Sequence, residues 1–231
     1  MHGNLFPLKV SRYPIKRLIF LAVALAWVIP ALPAAADSPA PSRAQALAAR
    51  GKSGPQERRR GASALEAVGR MDDAPALIAA LRDSDERVRA IAEGALWAVW
   101  SRSGDARIDD LLKRGISQMR DEHFGEAIAT FTRVIQLKPD FAEGWNKRAT
   151  VYYLAGEYRR SLADCDEVIK RNPQHFGALS GYGQIYLQLG QPGKALEYFR
   201  RALEVNPNLD QLQSVIEALE AAETRRRQRS I

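Results

Sequence analysis

Small, aromatic and aliphatic positions recur every 34 residues in the C-terminal half of the chain, in register with three prolines. The aligned columns are Gly115, Ala149 and Gly183; Ala127, Ser161 and Ala195; Phe131, Cys165 and Phe199; Ile135, Ile169 and Leu203; and Pro139, Pro173 and Pro207. A small residue in each of the first two columns lets two helices cross closely, and the aromatic side chain fills the gap beside them. Proline then ends the second helix, because it lacks an N–H and disfavours helical geometry in the residue before it.

Further apolar stripes predict helices on both sides of this repeat. Before it, short stripes at 64–68 and 77–81 precede a longer helix with apolar residues Val88, Ile91, Ala92, Ala95, Leu96 and Val99. Asp83 and Glu86 have the spacing of a capping pair at the start of that helix. After the repeat, one more amphipathic helix is predicted over 208–224, with apolar residues Leu209, Leu212, Val215, Ile216, Leu219 and Ala222. Its opposite face is polar, as expected of a helix that caps an array.

The 34-residue pattern resembles the tetratricopeptide repeat, with units at 108–141, 142–175 and 176–209. The middle unit is the fullest match, with family residues Trp145, Tyr152, Gly156 and Tyr158. The resemblance implies an all-α, right-handed α-solenoid of antiparallel helix pairs, whose stacked units leave a concave groove for ligands. Such repeats specify a scaffold and not a chemistry.

Ligand contacts in this family come mostly from the first helix of each unit, so the resemblance implies a partner-binding groove on the middle and third units. The candidate residues are Asn146, Thr150, Tyr153, Ser180, Gln184 and Gln188. Amides and hydroxyls suit hydrogen bonds to an extended peptide backbone, and Tyr153 adds a rigid amphipathic contact. Gly177 and Gly181 beside them would let the backbone of a ligand approach closely.

One subtype of the family is not predicted here. Chaperone-binding members clamp a C-terminal carboxylate with lysine, asparagine and arginine side chains. The corresponding positions in this chain are Leu112, Ile116, Lys147, Gly177 and Gly181. Only Lys147 keeps a basic side chain, so the carboxylate clamp is predicted to be absent.

The segment over 61–104 resembles a short bacterial HEAT-type repeat, on the strength of Pro75, Leu77, the exit at 81–83 and Val88-Arg89. A generic helical cap that shields the first tetratricopeptide unit is the alternative interpretation. Trp97 and Trp100 lie near the end of the long helix, and we expect at least one of them to pack against the following unit, since two exposed tryptophans would form an interaction patch.

The N-terminal 36 residues have the organisation of a signal peptide. Four basic residues precede an apolar run over 18–32, and Ala34-Ala35-Ala36 supplies the small residues of a cleavage site, so we expect cleavage after Ala36. An uncleaved anchor helix is the alternative, although the run is shorter than the roughly 20 apolar residues that span a bilayer. A flexible linker is predicted over 37–60, with room for one short helix over 43–50, and a basic disordered tail over 225–231.

The charge balance and the single cysteine argue against nucleic-acid binding and against thiol chemistry. The chain beyond residue 36 has 30 basic and 27 acidic residues, and four of the basic residues lie in the C-terminal tail. This balance does not favour nucleic acid, which requires a basic face and usually aromatic platforms. Cys165 is the only cysteine and is predicted to be a small buried hydrophobe rather than a reactive thiol.

No sequence motif predicts an enzyme. The chain has no HExxH, CxxC, GxSxG or phosphate-binding glycine loop, and its histidines are not at ligand spacing. Catalytic, metal and cofactor sites are therefore predicted to be absent.

The sequence thus predicts a non-enzymatic scaffold or adaptor of the bacterial cell envelope that binds a peptide or protein partner in its groove. The location would be periplasmic or secreted, with no stable membrane insertion after processing. Two alternatives stay open: a self-associating module that forms homo-oligomers, and the same scaffold held in the membrane by an uncleaved anchor.

Overall fold

The computed structural model describes residues 41–228, and the predicted signal peptide over 1–36 lies outside them. The described helices are α1 Arg43–Arg50, α2 Pro55–Val68, α3 Ala74–Ala80, α4 Glu86–Trp100, α5 Ala106–Arg120, α6 Phe124–Leu137, α7 Ala142–Leu154, α8 Tyr158–Arg171, α9 Phe176–Gln188, α10 Pro192–Val205 and α11 Asp210–Gln228. A short 3₁₀ turn over Met71–Asp73 leads into α3. Residues 41–228 contain no strand, which confirms the prediction of an all-α solenoid of helix pairs. None of these helices has the length and apolar character that crossing a membrane requires.

The three repeat units are the helix pairs α5–α6, α7–α8 and α9–α10. The second helices end at Leu137, Arg171 and Val205, each two residues before the proline of its unit. The helix therefore stops where the residue before proline is pushed out of helical geometry. The same local constraint therefore accounts for this boundary in all three units.

The turn inside each pair requires one residue with left-handed backbone geometry. Gly156 and Gly190 take this position in the second and third units, with φ of 77° and 70°. The first unit places Glu122 there, with φ of 60°. A residue with a Cβ pays a steric penalty of about 1–2 kcal/mol in this conformation, so the first turn is the least favourable of the three.

Within each pair the helices cross at the small and aromatic columns. A Cβ added at Gly115 would lie 2.5 Å from the ring of Phe131, and one at Gly183 would overlap the ring of Phe199. The predicted close crossings at both glycines are therefore confirmed. The middle unit has a larger Ala149 and a smaller Cys165 at the same positions, both buried. The larger residue in the glycine column is offset by the smaller residue in the aromatic column, so the crossing stays close-packed.

The predicted flexible linker over 37–60 is wrong in its described part, because α1 and most of the first half of α2 lie there. The short helix over 43–50 is confirmed as α1. It crosses α2 at Gly61, where an added Cβ would lie 2.5 Å from the backbone nitrogen of Arg50. Ala46 is fully buried at this crossing. The predicted first helix of the HEAT-like segment consequently begins at Pro55 rather than after 61.

Arginines of this segment are held by aspartates 25 to 30 residues away, which explains why it is ordered. Arg43 donates two hydrogen bonds to the carboxylate of Asp73, at 2.6 and 2.7 Å. Arg58 does the same with Asp83, at 2.7 and 2.8 Å. Planar bidentate pairs of this kind combine charge and fixed geometry. The local sequence of this arginine-rich stretch is typical of a linker, but its arginines fix it to the helices that follow.

The predicted capping pair at the start of α4 is also corrected. Asp85 caps the helix, since its carboxylate accepts a hydrogen bond from the backbone N–H of Val88 at 3.0 Å. Asp83 instead accepts from the N–H of Asp85 at 2.9 Å and pairs with Arg58. A hydrogen bond from Arg59 to the same Asp85 lowers the pKa of this carboxyl to about 2.

The C-terminal helix α11 covers the last pair. Leu212 and Ile216 are buried in a cluster with Leu196 and Phe199 of α10. The helix continues to Gln228, beyond the predicted end at 224, so the described part of the predicted disordered tail is helical. Arginine is a good helix former and a positive charge is favourable at a helix C-terminus, which accounts for the extension.

The exchange of volume between columns is testable with Gly183→Ala. The added Cβ overlaps Phe199, so we expect the free energy of unfolding to fall by about 1–3 kcal/mol. Combining it with Phe199→Cys, which copies the middle unit, should cost less than the sum of the two single changes. Chemical denaturation of the four proteins measures this coupling. Gly193→Ala is the control, because no atom lies within 4 Å of its Cβ position. Additive effects would show that the columns do not share space.

Candidate functional site

The six predicted groove residues lie on two neighbouring first helices, α7 and α9. Asn146, Thr150 and Tyr153 lie along α7, whereas Ser180, Gln184 and Gln188 lie along α9. The structure brings two of them together, because the Nε2 of Gln188 donates a hydrogen bond to the phenolic oxygen of Tyr153 at 3.4 Å. Their role in binding a partner stays a prediction.

The two hydroxyl side chains of this set are bonded to their own helices. Thr150 donates a hydrogen bond to the carbonyl of Asn146 at 2.9 Å, and Ser180 donates to the carbonyl of Phe176 at 2.8 Å. Asn146 and Gln184 are both buried, with 8% of their surface exposed. The hydroxyls of Thr150 and Ser180, bonded in this way, lose little further freedom when a ligand binds.

A buried charged cluster joins the first turns of α7 and α9, and sequence reasoning did not find it. The carboxylate of Glu143 is fully buried. Its Oε1 lies 3.0 Å from the Nζ of Lys147, and its Oε2 accepts a hydrogen bond from the Nδ2 of Asn146 at 3.0 Å. The Nε2 of His175 lies 3.1 Å from the same Oε2. All the partners thus face one carboxylate.

The hydrogen bonds of His175 define its tautomer. Its Nδ1 accepts a hydrogen bond from the backbone N–H of Ala178 at 3.1 Å, which caps the N-terminus of α9. Since Nδ1 accepts, the ring proton is on Nε2, which donates to Glu143. Burial alone would raise the pKa of Glu143, but the charge of Lys147 and the hydrogen bond from His175 outweigh it, so that this pKa falls to about 2. Glu143 is therefore an anion at neutral pH.

Two tryptophans of α4 pack on this cluster. The ring of Trp100 is stacked on His175 with 4.3 Å between centroids, and Trp100 is 3% exposed. Trp97 meets the ring of Phe176 edge-on at 5.2 Å and lies under the Nζ of Lys147, 5.8 Å from the ring centre. The tryptophans are packed as expected, but these contacts are with the second and third units rather than with the following unit at 108–141.

The two glycines that were predicted to admit a ligand backbone have other neighbours. A Cβ at Gly177 would overlap the ring of Trp97, so this glycine accommodates the chain's own α4. A Cβ at Gly181 would lie 3.9 Å from the Sγ of Cys165, an ordinary contact inside the repeat array.

Polar contacts also join the segment before the repeats to the end of α10 and to the residues that precede α11. Arg82 donates hydrogen bonds to the carbonyls of Glu204 and Val205. Arg89 donates to the Oδ1 of Asn208 at 2.9 Å. Glu93 accepts a hydrogen bond from the fully buried Asn206 at 3.0 Å, and burial raises the pKa of this carboxyl. The segment before the repeats therefore contacts the first turns of α7 and α9 and the residues that lead into α11.

Neither a metal-binding group nor a reactive thiol is present among the described residues. Between residues 41 and 228 no group of three or more histidine, cysteine, aspartate or glutamate side chains could hold a metal ion. The thiol of Cys165 is buried, and its desolvation raises its pKa above the ordinary value for cysteine. A thiol of this kind stays protonated and is a poor nucleophile.

Comparison with known proteins finds similarity to one repeat family. The sequence profile of the tetratricopeptide repeat matches residues 112–167 and 146–210. A TPR repeat-containing protein of Rhizobium etli is 36% identical over 108 residues, which are 47% of this chain and 53% of that protein. Anaphase-promoting complex subunit 3 of Schizosaccharomyces pombe is 32% identical over 90 residues, 39% of this chain and 13% of that protein. The chain thus spans about half of the first relative and a small part of the second.

Solved structures agree on the fold. The type III secretion translocator chaperone SycD of Yersinia enterocolitica has a TM-score of 0.50 and 14% identity, over 52% of this chain and 96% of that chain. The Sgt2 TPR domain of Aspergillus fumigatus has a TM-score of 0.50 and 18% identity, over 54% of this chain and 83% of that chain. At these identities the likeness concerns the fold alone.

The buried carboxylate predicts a pH dependence of stability. Unfolded glutamate has a pKa of about 4.3, whereas Glu143 in the folded protein titrates near 2, so its contribution is present above pH 5 and is lost as the pH falls toward 2. We expect Glu143→Gln to lower the free energy of unfolding at neutral pH by about 3–5 kcal/mol, because it leaves Lys147 without its buried counter-charge, and the difference from the wild type to shrink in acid. Denaturation at several pH values measures it, with exposed Glu217→Gln as control. A difference that grows in acid would contradict the assignment.

Proposed function

We propose that the chain, whose residues 112–210 match the tetratricopeptide repeat family, is a non-enzymatic scaffold that holds a peptide segment of a protein partner in its groove. The observation that carries the proposal is the arrangement of α7 and α9. Their facing sides carry amides, hydroxyls and Tyr153, and the helices are joined by Glu143–His175 at one end and by Tyr153–Gln188 at the other. Such a pre-formed surface lowers the ordering cost of binding.

The chemistry of this surface favours recognition of a peptide backbone. Asparagine and glutamine side chains both donate and accept hydrogen bonds, which matches the N–H and C=O groups of an extended chain. Tyrosine adds apolar contact area at a low entropic cost. Because few charges take part, binding should weaken little as the salt concentration rises.

The structure gives further support to the absence of a carboxylate clamp. Lys147 is the one basic side chain left at the clamp positions, and its ammonium is 3.0 Å from the carboxylate of Glu143. A terminal carboxylate that approached Lys147 would therefore meet an anion already in place. The partner is consequently proposed to bind without a charged terminus.

A place in the cell envelope is part of the same proposal and has only sequence support. The basic residues before the apolar run over 18–32 and the small residues at 34–36 favour export. The partner would then be a peptide or protein of the periplasm or of the outer surface.

The groove can be tested with the triple variant Thr150→Ala, Tyr153→Ala and Gln188→Ala, which leaves the buried Asn146 and Gln184 in place. We expect it to lose most of the affinity for a partner recovered with the wild-type protein, about tenfold or more, because it removes a hydroxyl, a hydrogen-bonding amide and the aromatic contact. Calorimetry measures the affinity, and circular dichroism checks the fold. The matched control is Gln211→Ala, Gln213→Ala and Glu217→Ala on the exposed face of α11. Full affinity in the folded triple variant would move the site elsewhere.

The location can be tested by sequencing the N-terminus of the protein from fractionated cells. Cleavage after Ala36 predicts a mature chain that begins at Asp37 and is found in the periplasmic fraction. Recovery of the full-length chain in the membrane fraction would instead support the uncleaved anchor. Recovery in the cytosol with residue 2 or Met1 at the N-terminus would contradict export.

A further inference from the structure

The helix α4 covers one end of the groove, and this limits what the groove can bind. We call this the first-turn end: Glu143 and Lys147 on α7, and His175, Phe176 and Gly177 at the start of α9. We propose that α4 occupies the first-turn end as a bound ligand would. A partner is then confined to the other half of α7 and α9, and it is recognised through a segment from the interior of its chain. The inference rests on the proposed function for its statement about the partner, but not for its statement about α4.

The shape of the first-turn end matches α4. The absence of a side chain at Gly177 makes room for the ring of Trp97, because any Cβ there would overlap it. Phe176 is 2% exposed and belongs to the same buried cluster as Trp100 and the apolar residues of α2, α3 and α4. The core of the N-terminal segment is therefore completed by a residue of the repeats.

The charges of the first-turn end are already neutralised. Glu143 is balanced by Lys147 and takes hydrogen bonds from Asn146 and His175. The ammonium of Lys147 also lies over the ring of Trp97, a favourable cation–π geometry. A partner carboxylate would have to displace these contacts and desolvate its own charge, which is costly in a buried site.

Contacts beyond the tryptophans hold α4 in place along its length. Arg89 and Glu93 are bonded to Asn208 and Asn206, which precede α11. A connection of only five residues, 101–105, joins the C-terminal end of α4 to α5. Release of α4 would leave the buried Asn206 and Glu93 without their mutual hydrogen bond, so α4 is a fixed part of the groove rather than a mobile segment.

The open half of the groove is what remains for a partner. It carries Thr150 and Tyr153 on α7 with Gln188 on α9, whereas Gln184 is buried. An extended chain can cross this half and leave it on both sides, whereas a terminus cannot enter the first-turn end. The ligand that fits this arrangement is a segment from the interior of a protein chain, recognised through hydrogen bonds to its backbone.

Amide hydrogen exchange of the full chain tests the position of α4 without any partner. In Gly177→Ala we expect exchange to accelerate about tenfold or more in α4 and in the first turn of α9, and to stay unchanged in α5 and α6. Gly125→Ala is the matched control, because it is also the second residue of its helix and has open space at the Cβ position. Trp97→Ala should give the same regional pattern without adding an atom. Unchanged exchange in both variants would overturn the docking of α4.

The partner class is tested with one library of short random peptides in two formats. One format displays each peptide with a free carboxyl terminus, and the other continues each peptide into a folded carrier. We expect the wild-type protein to enrich the same peptides in both formats, and the triple groove variant to enrich neither. Enrichment that requires the free terminus would overturn the inference. If neither format is enriched, the proposed function and the partner statement both fail, while hydrogen exchange still decides where α4 lies.

Discussion

The buried carboxylate of Glu143 is the constraint on which the arrangement of this protein depends. An unpaired charge in a protein interior is costly, so the residues around Glu143 must supply donors and a counter-charge. Lys147, Asn146 and His175 do so from two different helices. This ties α7 to α9 and fixes the ring of His175 as the surface on which Trp100 stacks. Breaking one member of such a buried set typically costs several kcal/mol, because the others lose their partner.

The regularity of the array has a different origin: the total side-chain volume at each helix crossing stays nearly the same. Gly115 and Gly183 face large rings, whereas Ala149 in the middle unit is accompanied by the smaller Cys165. Tyr182 of the next unit joins the buried cluster that contains Cys165. The crossing can therefore keep its geometry although its residues differ. Close packing therefore constrains the summed volume of the two side chains at a crossing, and not the identity of either residue.

These two features together make the ends of the groove unequal. The first-turn end is filled by Trp97 and closed by internal charge pairing, while the opposite end is bordered by the bond between Tyr153 and Gln188. A scaffold that stacked repeats alone would offer its whole inner face. Here the segment before the repeats becomes a wall of the groove, so it takes part in defining the proposed site.

The sequence alone determined the helices of the three repeats, their proline-set ends and the close crossings at Gly115 and Gly183, because these follow from backbone propensity and a strict 34-residue period. It also supplied the six groove candidates, whose role is still a prediction. Only the tertiary structure decided that 43–60 is ordered, since Arg43 and Arg58 find their aspartates 25 to 30 residues away. It likewise placed Trp97 on Gly177, across 80 residues of chain. Periodicity reports what a residue does within its own helix, whereas these contacts depend on which helices meet, and that is set by the packing of the whole chain.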